Sequence, residues 1–250
     1  MGSERTAIVT GGAKRIGAAM ARALAADGWH LLIHCNASRA EADALAAELG
    51  DATVVSADLA EADCADRVMA ALDGLPPPAL LVNNASRFDL DLFGDFDIAQ
   101  WDRHMAVNVR APVLLARSFA AAVPEGQPAL VVNLLDAKLA QPNPDFFSYT
   151  VSKQALAGAS ELLARVLAPR GIRVCGIAPA VTLVSGPQSR ENFAKAHRMT
   201  ALGTGVTVDD LIAALRFLIA TPTITGQTIA IDAGQRFLGL PRDVQFMETE

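Results

Sequence analysis

The chain has one tyrosine, Tyr149, followed four residues later by Lys153. On a helix, positions i and i+4 share a face. A phenol with an ordinary pKa of about 10 is a poor proton donor at neutral pH unless its surroundings tune it. A nearby ammonium and a bound cofactor stabilise the phenolate and lower that pKa. Lys153 can also hold the ribose hydroxyls of such a cofactor. Thirteen residues before Tyr149 stands Asp136, in Asn133-Leu134-Leu135-Asp136-Ala137. A carboxyl beside the phenol can hydrogen-bond a ring N–H and pass a proton to a ring nitrogen, and such a pair titrates as a unit.

A second constellation lies at the start of the chain, in Thr10-Gly11-Gly12-Ala13-Lys14-Arg15-Ile16-Gly17. Small residues there let backbone N–H groups approach a pyrophosphate at the positive end of a helix. A glycine-rich turn alone is a weak signal; a strand before it and a helix after it strengthen the signal. Enzymes that use NAD usually carry an acid at the end of the second strand, where it binds ribose hydroxyls. Here that region is Ile33-His34-Cys35-Asn36-Ala37-Ser38-Arg39, without an acid. A carboxylate would repel a 2′-phosphate. Its absence, with Asn36, Ser38 and the cation Arg39 at hand, favours NADPH.

These residues need elements to position them. Short apolar runs alternate with helical ones. Strands are expected at Thr6–Val9, Trp29–Ile33, Thr53–Ser56, Ala79–Val82, Ala129–Leu135, Arg173–Ile177 and Thr228–Ile231. Helices are expected at Ile16–Ala26, from Ser38 to Leu49, Ala60–Leu72, Trp101–Val123 (one long or two abutting), Ser148–Leu167 and Thr207–Ala220. Ser38 and Glu41 have capping-box spacing, and Gly50 sits where a helix C-terminal glycine belongs. Val184–Gly205 reads as an irregular substrate loop and Arg236–Glu250 as a tail. Strands apolar throughout, separated by helices, indicate a parallel sheet covered on both faces. The expected fold is α/β: one Rossmann-type, doubly wound domain over residues 1–250, with about seven parallel strands.

Composition agrees. Of the 250 residues, 52% are apolar and 19% charged, which excludes a disordered chain. Lys and Arg number 21 against 27 Asp and Glu, a net charge of −6 without a basic stripe, so a nucleic-acid partner is not expected. Cys35, Cys64 and Cys175 have neither metal spacing nor a disulfide pattern. No apolar run reaches the ~18–20 residues of a membrane helix. The first ten residues lack the basic region and apolar stretch of a signal peptide, so a cytoplasmic location is expected.

The turn at Thr10–Gly17 resembles the Thr-Gly-x-x-x-Gly-x-Gly turn of short-chain dehydrogenases/reductases, with Arg15 at the family's middle glycine. Tyr149 and Lys153 match the family's Tyr-x-x-x-Lys. The resemblance runs from roughly Thr6 to Gly234. It implies that Asp58, with Leu59 beside it, meets adenine. Asn84, Ala85 and Ser86 match the Asn-Asn-Ala-Gly turn along the cofactor. Asn108 is implied as a structural and proton-relay residue, and Pro179-Ala180 as the step on the nicotinamide, with Ala180 for the usual Gly. Asp136 stands where most members have a catalytic Ser.

That Asp, with Arg15 and Ser86-Arg87-Phe88, is similar to pteridine reductases and bacterial dihydromonapterin reductases. The likeness implies that Phe88 stacks on a pterin, that Ser86 lies near cofactor and substrate, that Val181 lies along the cofactor, and that Thr182 lies near the pterin and the cofactor phosphate. The expected activity is NADPH-dependent reduction of a pterin or dihydropterin C=N bond, in a homotetramer. Two alternatives stay open: a short-chain reductase of another carbonyl or imine, such as a ketone, sugar or oxoacyl compound, and a non-catalytic NADP(H)-binding protein.

Other constellations carry less. Asp89–Asp97 faintly resembles a calcium loop but has Phe93 and Gln100 at ligand positions. It is expected to be a solvated acidic loop beside the substrate cleft. His30 and His34 have zinc-helix spacing but fall in a strand, so no metal is expected. There is no Gly-x-Ser-x-Gly elbow for a serine hydrolase.

Overall fold

The computed structural model describes residues 4–185 and 188–247. Seven strands form one sheet in the order β3-β2-β1-β4-β5-β6-β7, every neighbouring pair parallel. The strands are β1 (Thr6–Val9), β2 (His30–Cys35), β3 (Ala52–Ser56), β4 (Pro78–Asn83), β5 (Ala129–Leu134), β6 (Ile172–Pro179) and β7 (Thr228–Ile231). The chain moves outward through β1, β2 and β3, then returns to lay β4 on the other side of β1. That reversal opens a crevice beyond the C-terminal ends of β1 and β4, where ligands bind in such sheets.

Successive side chains on each strand enter opposite layers. Ala7 and Val9 pack with α1 (Arg15–Ala26), α2 (Arg39–Leu49) and α8 (Val208–Ala220), through Met20, Leu24, Leu45, Leu211 and Leu215. Ile8, between them, packs with α3 (Cys64–Ala70), α5 (Ala111–Ala122) and α6 (Phe147–Leu167), through Val68, Leu115, Phe119 and Leu167. Both faces of the central strands are therefore dry, while the edge strands β3 and β7 stay partly exposed.

Several boundaries differ from the sequence reading. The helix expected at Ala60–Leu72 shortens to α3, because the Asp58 carboxylate accepts the Ala60 N–H at 2.8 Å and holds a turn first. The stretch expected at Trp101–Val123 is two helices: α4 (Ile98–Met105) and α5, joined by a π-helical turn, Ala106–Arg110, that carries Asn108. The segment read as irregular contains α7 (Arg190–Arg198), capped by Ser189, whose hydroxyl accepts the Asn192 N–H. Gly186 and Pro187 of that segment lie outside the described residues, as do 248–250 of the tail.

The capping box expected at Ser38 does not form. Ser38 occupies the cap without a side-chain bond, because Glu41 is drawn across to an ion pair with Lys14. Thr207 does form a box with Asp210 at the start of α8. Among the described residues no helix is long and apolar enough to cross a membrane, and no cluster of His, Cys, Asp and Glu could hold a metal.

Candidate active site

The C-terminal ends of β1, β4, β5 and β6 converge on a cavity of about 240 Å³. Asp136 enters it just beyond β5, and Tyr149 and Lys153 enter from the first turns of α6. Tyr149 Oη donates to Asp136 Oδ2 at 2.7 Å, and the other carboxylate oxygen accepts the Lys138 N–H at 2.8 Å. Both oxygens are thus held. Lys153 Nζ donates to the Leu134 carbonyl at 2.6 Å, which places the ammonium below the phenol.

Burial raises the Asp136 carboxyl above its usual range. It also pushes the Tyr149 phenol well above 10, and the Asp136 charge adds to that rise. Desolvation first, then the neighbouring carboxylate, set the direction of the phenol's shift. Burial lowers Lys153 from 10.5 to about 8.

Phe88 lies over this pair. Its ring meets Tyr149 edge-on at 4.6 Å and stacks on Phe146 at 4.2 Å between centroids. One face of Phe88 is thereby covered; 38% of the residue stays exposed. Phe146, in the left-handed region at φ 52°, starts α6 and stacks in turn on Phe246 of the tail. Arg15 is also left-handed, at φ 56°, a conformation that costs an L residue about 1–2 kcal/mol. Its guanidinium lines the cavity and has no ion-pair partner among the described residues. Ser86 reaches the same wall.

Asn108 does not line the cavity. Its Oδ1 accepts the Arg87 N–H (2.8 Å) and the Ser86 hydroxyl (3.2 Å), while Nδ2 donates to the Arg87 carbonyl and to Ser152 Oγ. It holds the segment that carries Ser86 and Phe88. His104, buried on α4, accepts the Asp89 N–H at 3.4 Å on the same segment. The acidic stretch after Phe88 is not wholly solvated. Asp89 pairs with Arg87, and buried Asp91 accepts the Ser148 N–H at 3.0 Å.

The cavity continues past Ile16, Asn84 and the Pro179-Ala180-Val181-Thr182 step. The remaining nucleotide candidates lie outside it, on the same edge of the sheet. Gly11 (φ +59°) and Gly17 pack so closely that a Cβ on Gly17 would lie 2.2 Å from the Gly11 carbonyl oxygen. Ala85 flanks this turn, its N–H bonded to Thr10 Oγ1. Asn36, Ser38 and Arg39 follow β2, with Arg39 in an exposed ion pair with Asp43. Asp58 and the buried Leu59 follow β3. His30 is spent on Asp51 and Thr53.

The motifs do not indicate the opposite wall. Lys138, Gln141, Asn143, Asp243 and Gln245 line it. Asn143 Oδ1 is buried without a hydrogen-bond partner among the described residues, an acceptor left for a ligand donor. Asp243 arrives on the tail, which is fastened to its own chain. Arg242 shares its Nε–H between both oxygens of buried Asp145, at 2.8 and 2.9 Å, and the Asp243 N–H adds a bond to that carboxylate. Burial alone would raise Asp145, but these bonds hold it below the usual carboxylate range. No sequence motif marks these residues.

Comparison with known proteins adds three likenesses and a family model. The model described as short chain dehydrogenase matches residues 5–194. The crystal structure of FolM alternative dihydrofolate reductase 1 from Brucella canis, complexed with NADP, superposes with a TM-score of 0.90 at 44% identity, over 95% of this chain and 96% of that one. The 3-oxoacyl-[acyl-carrier-protein] reductase of Synechocystis sp. is 27% identical over 92% of this chain and 96% of its own. L-xylulose reductase of Mesocricetus auratus is 29% identical with the same coverages.

Proposed function

The chain belongs to the short chain dehydrogenase family, and we propose that it is an NADPH-dependent reductase of a C=N bond in a pterin or dihydropterin. The observation that carries this reading is the 2.7 Å bond from Tyr149 to Asp136 beside the partly exposed ring of Phe88. A serine at position 136 could only polarise a carbonyl oxygen. A buried carboxyl sharing a proton with a phenol can supply that proton to a ring nitrogen. The likeness at 44% identity to an alternative dihydrofolate reductase supports the same substrate class.

The residues present fit NADPH. The segment after β2 offers Asn36, Ser38 and Arg39 and no carboxylate, and the Ser38 side chain is not spent on its helix. The Arg39–Asp43 pair is exposed and of the kind worth little, so the guanidinium can turn to a phosphate. Gly11, Arg15, Ile16 and Gly17 would hold the pyrophosphate at the start of α1. Asp58 and Leu59 would meet adenine. Asn84, Ala85 and Ser86 would line one side of the nicotinamide half, and Pro179, Ala180, Val181 and Thr182 the other. Tyr149 and Lys153 would hold its ribose. When bound, NADPH supplies the hydride.

The chain's own part is orientation and protons. Phe88, backed by Phe146, offers a flat face to a conjugated ring. Arg15 and Ser86 supply a cation and a hydroxyl for the ring's heteroatoms. Asp136 and Tyr149 give the proton to the nitrogen of the reduced bond, and Lys153 keeps positive charge beneath them while they do so.

NADPH oxidation, followed by absorbance, tests the reading with dihydrobiopterin, dihydromonapterin and dihydrofolate against ketone, sugar and oxoacyl controls. Turnover confined to the pterins is expected. Turnover of ketones alone would return the chain to a general carbonyl reductase, and NADPH binding without any turnover would make it a binding protein.

A further inference from the structure

His34, on β2, lies outside the cavity and is 2% exposed, yet it touches both ends of the nucleotide site. Its Nδ1 accepts the Gly11 N–H at 3.1 Å, at the entry of the glycine turn. Its Nε2 meets the Ala57 carbonyl at 2.9 Å, one residue before Asp58. Its main-chain carbonyl accepts the Gly12 N–H at 2.9 Å. A carbonyl can only accept, so Nε2 must carry the proton and Nδ1 must be bare. The two partners fix one neutral tautomer.

The peptide between Thr10 and Gly11 is then clamped at both ends. His34 takes its N–H, and Asn84 Nδ2 donates to its carbonyl at 2.9 Å. That peptide sets the direction in which the Gly11 carbonyl meets Gly17, and so where the first N–H groups of α1 point. The ring also ties this turn to the strand end that would meet adenine. An apolar side chain of similar size would fill the space and leave the Gly11 N–H and Ala57 carbonyl unpaired.

We infer that His34 is a positioning residue for NADPH: one neutral imidazole fixes the pyrophosphate turn against the adenine-side loop, and so sets cofactor affinity without touching cofactor or substrate. The inference rests on the NADPH reading above. Burial holds the imidazole pKa below its usual value, while the Ala57 carbonyl and the Asp58 charge oppose that shift, so the required form is the one present at neutral pH.

Three variants and the wild type test it, with NADPH dissociation constants from fluorescence titration, kcat at saturating NADPH and melting temperatures without ligand. His34→Leu should weaken NADPH at least tenfold while leaving kcat within about twofold. His34→Asn presents an oxygen where Nδ1 stood, and should recover affinity to within about threefold. His34→Gln, which reaches toward Ala57 but not Gly11, should resemble the Leu variant.

Wild-type affinity in the Leu variant would overturn the inference. So would losses of affinity that follow only melting temperature, without rescue by Asn. In the unmodified protein, imidazole ¹⁵N shifts should report a bare Nδ1 and a protonated Nε2, and the opposite tautomer would also overturn it. If the wild type binds no NADPH, the functional reading and this inference fall together. If it binds NADPH but reduces no pterin, only the substrate reading falls.

Discussion

At residue scale, the site is assembled against local preference. Arg15 and Phe146 both occupy left-handed backbone; Arg15 lines the cavity, and Phe146 stacks on Phe88 at its rim. Such strain persists where the surroundings over-determine it and is commonly tied to function. Arg15→Gly should relax the turn, stabilise the fold by about 1 kcal/mol and raise the melting temperature by about 2–4 °C. The same change removes a guanidinium from the cavity and should raise KM for a dihydropterin about tenfold or more, the scale of a lost charged hydrogen bond. Calorimetry and steady-state kinetics on one preparation check both signs. Lys153 gives a second expectation. It is charged below about 8 and neutral above. KM for NADPH should be flat below that pH and climb above it, and Lys153→Arg should move the rise to higher pH.

Tyr149, Lys153 and Asp136 were legible because their types are chemically rare in context: a single tyrosine, a lysine four residues on and an acid at position 136. The direction of the phenol's pKa was not legible. It depends on how completely the side chain is dried, a property of packing and not of spacing. Asp243 and Asn143 were hidden for another reason. They reach the cavity from segments with no motif, through contacts across the fold.

At the scale of elements, one wall of the pocket depends on the tail. Residues 240–247 carry Asp243 and Gln245 into the cavity, and two clasps hold them: the Arg242–Asp145 pair and the Phe246–Phe146 stack. Arg242 is half exposed, but Asp145 is buried, so the pair is anchored on one side. Arg242→Ala should raise KM for the pterin by about three- to tenfold, the scale of one exposed charged bond, and leave the NADPH dissociation constant unchanged. Equal losses of both would mean that the variant had loosened the whole sheet end.

Helices were read best where an apolar stripe was long, as in α1, α6 and α8. Helix α7 was missed because only Phe193, Ala194 and Ala196 interrupt its charged and polar residues, too short a stripe to show a period. The box at Ser38 was misread because spacing does not say which cation a glutamate will prefer; Glu41 found Lys14.

At the scale of the molecule, the fold follows from dry strands. Strands such as β1, β2, β4 and β5 are buried end to end, which only a sheet with helices on both faces permits. The order of those strands then brings the ends of β1, β4, β5 and β6 to one edge, and with them Arg15, Ser86, Asp136 and the Pro179–Thr182 step. Residues spread over some 170 positions become one site by topology alone. On the proposed reading, Asp136 at that edge is the residue that selects a pterin over a simple carbonyl substrate.

The measurement that tests this most directly is kcat/KM for dihydrobiopterin and for an oxoacyl substrate, in the wild type and in Asp136→Ser. The account predicts a wild type active on the pterin, and a variant that loses that activity by about 10²–10⁴-fold, the usual worth of a positioned proton donor, while still binding NADPH. A variant that reduces the pterin as well as the wild type does, or a wild type that prefers the oxoacyl substrate, would contradict it.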